Sequence, residues 1–121
     1  MPSRNYKDLV VWQKAMELIV ETYRLVKFLP QSEIYALSDQ MRRAVVSIPS
    51  NIAEGQGRDS TREFVHFLSI ARGSCFELHT QFSACVLIGY LTEKETTKAV
   101  SLIDEIAKML NALIKKLKTT Y

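Results

Sequence analysis

Apolar residues recur every three or four positions along four long segments of the 121-residue chain, and this spacing constrains the fold most. It places apolar side chains on one face of an α-helix, whereas a half-buried strand needs alternation at every second position, which no segment sustains. In the last segment the steps alternate between four and three residues, as in a bundle helix. Those residues are Ala99, Ile103, Ile106, Leu110, Leu113 and Leu117. The sequence therefore predicts an all-α chain.

Breaks in the periodicity predict four helices, at about residues 8–28, 33–54, 60–88 and 93–118. We expect Asp8 and Ser32 to be N-caps, and Ser60 with Glu63 and Thr92 with Glu95 to form capping boxes. Pro30 ends the first helix, Gly55 suits a C′ position of positive φ, and Gly89 begins the last break. Because the connections are short, each helix should run antiparallel to the next. The prediction is an up-down-up-down four-helix bundle over 8–118, with tails at 1–7 and 119–121.

The same periodicity predicts the core face of each helix. In the first helix we expect the stripe Leu9, Trp12, Ala15, Met16, Ile19, Tyr23 and Val26 to be buried. In the second helix it is Ile34, Leu37, Met41, Ala44, Val45, Ile48 and Ile52. In the third it is Phe64, Phe67, Leu68, Ala71, Cys75, Leu78, Phe82 and Val86.

Charge and hydropathy narrow the class of protein. No apolar run approaches the ~20 residues that span a bilayer, and the segment MPSRNYKD lacks the apolar region of a signal peptide. We therefore expect a cytoplasmic protein without a membrane partner. The net charge of +3 permits an anionic partner without requiring one.

Pro49 interrupts the second helix inside the segment SIPSNIAEGQG, residues 47–57. A proline in a helix interior removes one backbone hydrogen bond and typically bends the helix. Ser47 and Asn51 are residue types that can supply compensating hydrogen bonds to the freed carbonyl near Val45. A polar stripe lies beside the apolar face of this helix. It comprises Gln40, Arg43, Ser47, Asn51 and Glu54.

A second stripe follows the third helix, about 100° from its core face. It comprises Glu63, Ile70, Ser74, Glu77, Gln81 and Ile88, beside Gly73. A mid-helix glycine costs about 1 kcal/mol in propensity, which suggests close approach of another backbone at Gly73. A homo-oligomer would use both stripes, with Arg42 or Arg43 of one subunit pairing with Glu54, Glu63 or Glu77 of another. Salt bridges within one chain are an equally good explanation of the charges.

Residue patterns for catalysis or metal binding are incomplete. Glu63-x-x-His66 resembles a di-iron ligand pair, but the second such pair and two further glutamates are missing. Cys75 and His79 could touch one zinc ion, yet further ligands are not evident. We expect Cys75 and Cys85 to be buried reduced thiols, and we predict no catalytic residue, no cofactor and no metal.

Several arginines and lysines are candidates for nucleic-acid contact. They are Arg42, Arg58, Arg62, Arg72, Lys115, Lys116 and Lys118. Lysines at a helix C-terminus also suit the helix dipole, so the last three have a purely structural explanation as well. Binding of RNA or DNA through these residues should be dominated by phosphates and should depend strongly on salt.

Four segments together resemble the 23S rRNA intervening-sequence protein family. They are LVVWQKAMELI at 9–19, SEIYALSDQMRRAVVSIPSNIAEGQGR at 32–58, EFVHFLSIARGSCFEL at 63–78 and LIGYL at 87–91. The resemblance implies an antiparallel four-helix bundle that assembles into a ring-like homopentamer. The family is similar to the accessory variability determinant of diversity-generating retroelements, a basic pentameric barrel that binds nucleic acid and a reverse transcriptase. No enzymatic activity is attached to the family.

These observations together predict a non-enzymatic homo-oligomeric scaffold, with five subunits implied by the resemblance. Its partners would be itself and, through a basic surface, RNA or DNA. The alternative is an adaptor that binds another protein without nucleic acid.

Overall fold

The computed structural model describes residues 5–121. Its long helices are α1 (Val10–Val26), α2 (Leu37–Gln56), α3 (Thr61–Ile88) and α4 (Glu93–Lys118). Short 3-10 turns at Tyr6–Asp8 and Gln31–Glu33 precede α1 and α2. Within 5–121 there is no strand, and the prediction of an all-α four-helix bundle is confirmed. No helix in this part of the chain is both long enough and apolar enough to span a membrane.

The helices form a four-cornered bundle in chain order. α1 packs against α2 and α4, and α3 packs against the same two helices, so α1 and α3 occupy opposite corners. Contacts between α2 and α3 show that these helices are antiparallel. Ser47 lies beside Ser74, and Met41, six residues earlier, lies beside Cys85, eleven residues later.

The α3–α4 pair is antiparallel as well. Arg72 contacts Asn111, and His79, farther along α3, lies 4.0 Å from Asp104, which comes earlier in α4. Lys14 of α1 pairs with the neighbouring Glu105 at 3.2 Å. Lys14 and His79 therefore lie at about the same height in the bundle. Val10, one turn earlier in α1, shares a small pocket with Met109, which comes later in α4, so α1 is antiparallel to α4 and runs in the same direction as α3.

The N-terminus of α2 differs from the prediction. The segment around Ser32 forms a 3-10 turn, α2 begins at Leu37, and the expected start at 33 with Ser32 as N-cap is wrong. Glu33 performs the capping, since its Oε1 accepts a hydrogen bond of 3.2 Å from the Leu37 N–H. Its Oε2 accepts another of 2.8 Å from the Tyr90 hydroxyl, which ties this connection to the one between α3 and α4.

The N-terminus of α1 also differs. Leu9, not Asp8, occupies the N-cap position and offers no side-chain hydrogen bond. The preceding turn is capped instead by Asn5, whose Oδ1 accepts from the Lys7 N–H at 2.8 Å. Residues 5–8 therefore form a capped turn before α1. Residues 1–4 of the predicted tail lie outside the described part of the chain.

The start of α4 is as predicted, whereas the capping box predicted at the start of α3 is only half formed, because the Glu63 carboxylate accepts from Ser60 Oγ at 3.3 Å and not from the Ser60 N–H. Ser60 Oγ accepts from the Glu63 N–H at 3.0 Å. At α4, Thr92 and Glu95 form a reciprocal capping box, with hydrogen bonds of 2.8 and 3.1 Å. Gly89 ends α3 in the left-handed region, with φ of 96°. These residues set the two sharp turns that keep the helices adjacent.

Gly55 does not end α2 in a positive-φ conformation, as predicted, because the helix continues through it to Gln56. Its hydrogen atom faces α3 instead. A Cβ atom placed there would lie 2.7 Å from Phe67 Cβ and 3.0 Å from Phe64 Cδ1. Glycine is needed here because the two helices approach closely, not because of backbone conformation.

The core is built from the predicted faces of α2, α3 and α4, except that Ile34 is exposed and lies before the start of α2. The predicted stripe of α1 is rotated. Leu18, Thr22 and Leu25 are fully buried, whereas Met16 and Tyr23 of the predicted stripe are exposed. The α1 segment is apolar on more than one side, so periodicity alone could not select the buried one. The rotation leaves apolar side chains of α1 outside the core.

Candidate functional site

The two polar stripes meet inside the chain, between α2 and α3. Ser47 Oγ lies 2.8 Å from Ser74 Oγ, and Ser74 is buried. Asn51 Nδ2 donates to the Ser47 carbonyl at 2.8 Å and to Ser47 Oγ at 2.9 Å. Since Ser47 Oγ accepts from Asn51, its own proton can be donated to Ser74. These three predicted interface residues thus join two helices of one copy.

Pro49 is buried within α2, which continues as one helix on both sides of it. The expected compensation at Val45 is wrong in detail. The amide of Asn51 donates to Ser47 rather than to the carbonyl that Pro49 leaves free. Ser47 and Asn51 therefore act on the α2–α3 contact and not on the gap in the helix ladder.

The acidic residues Glu54 and Glu63 share one arginine of the same chain. Arg58 Nη2 lies 2.7 Å from Glu54 Oε2, and its Nη1 lies 3.7 Å from Glu63 Oε1. The Arg58 guanidinium also lies over the Phe67 ring, 4.9 Å from its centroid. This cluster fastens the turn between α2 and α3, so its charges are largely compensated.

Other members of the predicted stripes remain exposed. Gln40 and Gly73 face outward, and a Cβ atom at Gly73 would meet nothing within 4 Å. The expected close backbone approach at Gly73 is therefore absent within the described chain. Arg43 lies 3.3 Å from Asp39, with 76% of its side chain exposed. Glu77 is exposed, and its one hydrogen bond in the described chain is a long one, 3.5 Å from Gln81 Nε2.

The remaining predicted arginines each make a contact of their own. Arg42 donates to the Ile34 carbonyl at 3.1 Å, and Arg72 donates to Asn111 Oδ1 at 2.8 Å. The Arg62 guanidinium lies over the Tyr121 ring, 4.4 Å from its centroid. The candidate cations on α2 and α3 are thus partly engaged in holding the bundle together.

Lys115, Lys116 and Lys118 are more accessible. They lie on the last turn of α4, and none of them takes part in an ion pair within residues 5–121. The antiparallel order places them at the same end of the bundle as Arg58 and Arg62. This end carries the most open positive charge among the predicted contacts.

The two thiols lie in the core, whereas His66 lies on the surface. Cys75 and Cys85 are free and buried, and burial raises their pKa to about 12 and about 11. Cys85 Sγ lies 3.7 Å from Met41 Sδ in the core. His66 is exposed and packs edge-on against the Phe67 ring. Between residues 5 and 121 no three His, Cys, Asp or Glu side chains converge as a metal site would require.

Sequence reasoning missed two polar contacts and one set of exposed apolar side chains. Glu21 is buried and receives two hydrogen bonds from Arg24, of 3.0 and 2.7 Å, and these hold its pKa below the usual value against the effect of burial. Glu33 and Tyr90 are joined as described above. Exposed apolar side chains are spread over α1, α2 and α3, and their excess over one core face was the signal that could have revealed them. They include Met16, Val20, Tyr23, Val46, Ile70, Phe76, Leu87 and Ile88.

Comparison with known proteins places the chain. No curated protein matches it. A solved structure of a protein with unknown function from the S23 ribosomal protein family of Bacteroides thetaiotaomicron VPI-5482 is similar, with a TM-score of 0.81 and 29% identity. The match covers 88% of this chain and 99% of that one. The family model described as 23S rRNA-intervening sequence protein matches residues 7–112. The chain therefore belongs to the 23S rRNA-intervening sequence protein family.

Proposed function

We propose that the protein is a non-enzymatic, homo-oligomeric scaffold of the cytoplasm that binds nucleic acid through a basic surface. One observation carries the oligomeric part. Large apolar side chains stay exposed on three helices, whereas α4, which is described along its whole length, exposes none. A bundle that can bury one helix cleanly does not need to expose the others, so the exposed surface of α1, α2 and α3 suits a partner.

The exposed fractions of these side chains support an oligomer. Val20 is 71% exposed and Leu87 is 88% exposed. Fully burying one such side chain is worth about 1.5–3 kcal/mol, so a few of them per interface can drive association. Exposed apolar side chains that group into a patch mark interaction sites on soluble proteins.

The contacts within the chain narrow the predicted ion pairs between subunits. Arg42 is occupied by the Ile34 carbonyl, and Glu54 and Glu63 share Arg58. Arg43 and Glu77 are the other predicted partners. Both are exposed, and the Asp39 contact of Arg43 leaves 76% of its side chain exposed. We propose that Arg43 of one subunit pairs with Glu77 of the next, where partial burial would strengthen the pair relative to a solvated one.

The number of subunits is proposed by likeness. We propose a ring of five, as the resemblance of the sequence to the 23S rRNA intervening-sequence protein family implies. Multi-angle light scattering at micromolar concentration tests it, with an expected mass of five times 13.8 kDa. A monomer at that concentration would overturn the oligomeric scaffold.

The nucleic-acid part rests on Lys115, Lys116 and Lys118. Repeated around a ring, these three side chains would form a cluster of positive charge at one end of every subunit. Contacts of this kind neutralise phosphates and release counterions, so affinity should fall steeply with salt and depend little on sequence. Arg62, at the same end, can add to the cluster when it is not stacked on Tyr121.

Fluorescence anisotropy with a labelled single-stranded RNA, measured at two salt concentrations, tests this part. Replacing the three lysines by glutamate should abolish binding at low salt. The control replaces Lys94 and Lys98 by glutamate. Both lysines are exposed at the other end of α4, so this variant should bind as the wild type does. Absence of wild-type binding at low salt removes the nucleic-acid part and leaves the adaptor alternative.

A further inference from the structure

We propose that the exposed apolar patch across α1 and α2 of one copy packs into the groove between α3 and α4 of the next copy. The inference rests on the proposed homo-oligomer and adds which surfaces meet. It makes the contact heterologous, meaning that each copy uses two different surfaces.

The first surface, here called the α1–α2 patch, consists of Met16, Val20, Tyr23 and Val46. The first three are spaced four and three positions apart, so they share one side of α1. Tyr23 borders α2 across a small pocket that it shares with Arg42. Val46 lies one turn beyond Arg42 on the same side of α2, so it extends the patch onto the second helix.

The second surface, here called the α3–α4 groove, is an open cleft of about 940 Å³. It lies between the C-terminal half of α3 and the N-terminal half of α4. Its lining combines the apolar Phe82, Val86 and Val100 with polar and charged side chains that include Asp104 and Lys108. Leu87 stands at its edge, with 88% of its surface exposed. Phe76, eleven residues before Leu87 and hence three turns away on the same side of α3, is 57% exposed.

The two surfaces lie on opposite sides of the bundle. One side is formed by α1 and α2, and the other by α3 and α4, because α1 and α3 occupy opposite corners. One copy cannot bring these surfaces together within itself. Two different surfaces that bind each other between copies generate a ring when the rotation between subunits closes.

Heights in the bundle match across this contact. α1 and α3 run in the same direction, and Lys14 and His79 lie at about the same height. Tyr23, nine positions beyond Lys14, therefore lies at the height of Leu87. In a ring whose axis is parallel to the helices, subunits keep the same height, so Tyr23 of one copy faces Leu87 of the next.

The α2 part of the patch matches in the same way. Ser47 lies beside Ser74, and the helices are antiparallel, so Val46 lies at the height of Phe76. Arg43, one turn earlier, lies close to the height of Glu77. The ion pair of the proposed function thus falls at the edge of the same contact.

Charge is complementary at the other edge as well. Lys27, beyond the end of α1, is exposed, and it lies at the height of Glu93, the first residue of α4 and part of the groove. Neither residue takes part in an ion pair within residues 5–121. Placing the patch in the groove brings Lys27 of one copy to Glu93 of the next. This complementarity selects a second copy as the occupant of the groove.

Aspartate substitutions at two exposed apolar positions test the inference. Val20→Asp should abolish the patch and Leu87→Asp should abolish the groove, so each variant alone should be a folded monomer. Mixed together, they retain one intact patch and one intact groove, and should form a 1:1 dimer by light scattering. Val10→Asp is the control, because Val10 is also exposed on α1 but borders α4 near Met109 and Lys116. That variant should keep the wild-type mass.

The outcomes separate the two proposals. A monomeric wild type overturns the proposed oligomer. An oligomeric wild type whose mass survives Val20→Asp or Leu87→Asp overturns the assignment of these surfaces. A Val20→Asp dimer without its counterpart would mean that a surface binds its own copy, and it would overturn the heterologous contact.

Cross-linking supplies a second measurement that does not require dissociation. A protein carrying both Tyr23→Cys and Leu87→Cys should give a ladder of covalent oligomers with a short bismaleimide, whereas each single variant should give none. The native thiols are buried and should not contribute. Oligomers without a ladder in the double variant would overturn the inference.

Discussion

The hydroxyl oxygens of Ser47 and Ser74 lie 2.8 Å apart where α2 crosses α3. This contact joins two stripes that the sequence presents as separate polar surfaces. With Asn51 it forms a small, half-buried hydrogen-bond network. Polar side chains at a helix crossing fix which residues lie opposite each other, because a shift would leave buried groups without partners.

Ser74→Ala should therefore destabilise the fold by about 1 kcal/mol, since it removes a hydrogen bond from a buried position. Ser47 would keep its bond from Asn51, which limits the loss. Urea unfolding measures the free energy of unfolding. Ser50→Ala is the control, because Ser50 lies on the solvent-exposed side of α2. Equal stability of the two variants would contradict a role for the serine pair.

Two glycines should respond oppositely to alanine. Gly55→Ala places a Cβ 2.7 Å from Phe67 Cβ, so overpacking should cost about 1–3 kcal/mol despite the better helix propensity. Gly73→Ala meets nothing within 4 Å and should stabilise the chain by about 0.5–1 kcal/mol. Thermal or urea unfolding of both variants checks the signs. A stabilising Gly55→Ala would mean that α2 and α3 can separate freely at this point.

The helices of this fold could be predicted from spacing and caps, and the side-chain partners could not. The seam Ala99 to Leu110 in α4 is buried as predicted, and Thr92 with Glu95 caps it. At α2 the rule failed, because Ser32 has the right chemistry but Glu33 reaches both Leu37 and Tyr90 from a 3-10 turn. That choice depends on a residue 57 positions away, which local patterns do not contain.

The candidate site shows the same limit. The stripes around Pro49 were recognised from periodicity, yet periodicity cannot say whether a polar residue faces a neighbouring helix or solvent. Ser47, Asn51 and Ser74 lie against each other, whereas Arg43 and Glu77 face outward. For α1 the apolar residues exceed one face, so the buried side was decided by packing.

The Glu21–Arg24 pair should make stability depend on acid. Hydrogen bonds from Arg24 lower the pKa of Glu21 below its ordinary 4.5, and the charge of Arg24 acts in the same direction, while burial opposes them. A carboxyl whose pKa is lower in the folded state contributes stability above its unfolded pKa, and this is lost as the pH falls through the folded value. Glu21→Gln should therefore flatten the decline of unfolding free energy below about pH 4.5. Glu17→Gln, exposed on the same helix, is the control, and an identical acid decline in wild type and Glu21→Gln would contradict the role of the pair.

The two thiols should be unreactive in the folded protein. Burial raises the pKa of Cys75 from 9.0 to about 12 and that of Cys85 to about 11. The thiolate is the reactive form, so at pH 8 its population should be roughly a hundred- to a thousand-fold lower than in the unfolded chain. Titration with a thiol reagent should detect both cysteines in denaturant and neither in buffer. Rapid modification of the native protein would show that the core around Met41 opens.

Pro49→Ala tests whether the interruption in α2 serves assembly. Alanine restores a donor to the carbonyl of Val45, so helix content by circular dichroism should stay the same or rise slightly. Closing this gap in the hydrogen-bond ladder would change the path of α2 and shift Val46 relative to Val20. The α1–α2 patch would then fit its groove less well. In light scattering, the Pro49→Ala oligomer should therefore dissociate at a higher protein concentration than the Ser50→Ala control does. An unchanged mass over the same dilution range would show that the path of α2 through Pro49 serves the fold of one copy and not the contact between copies.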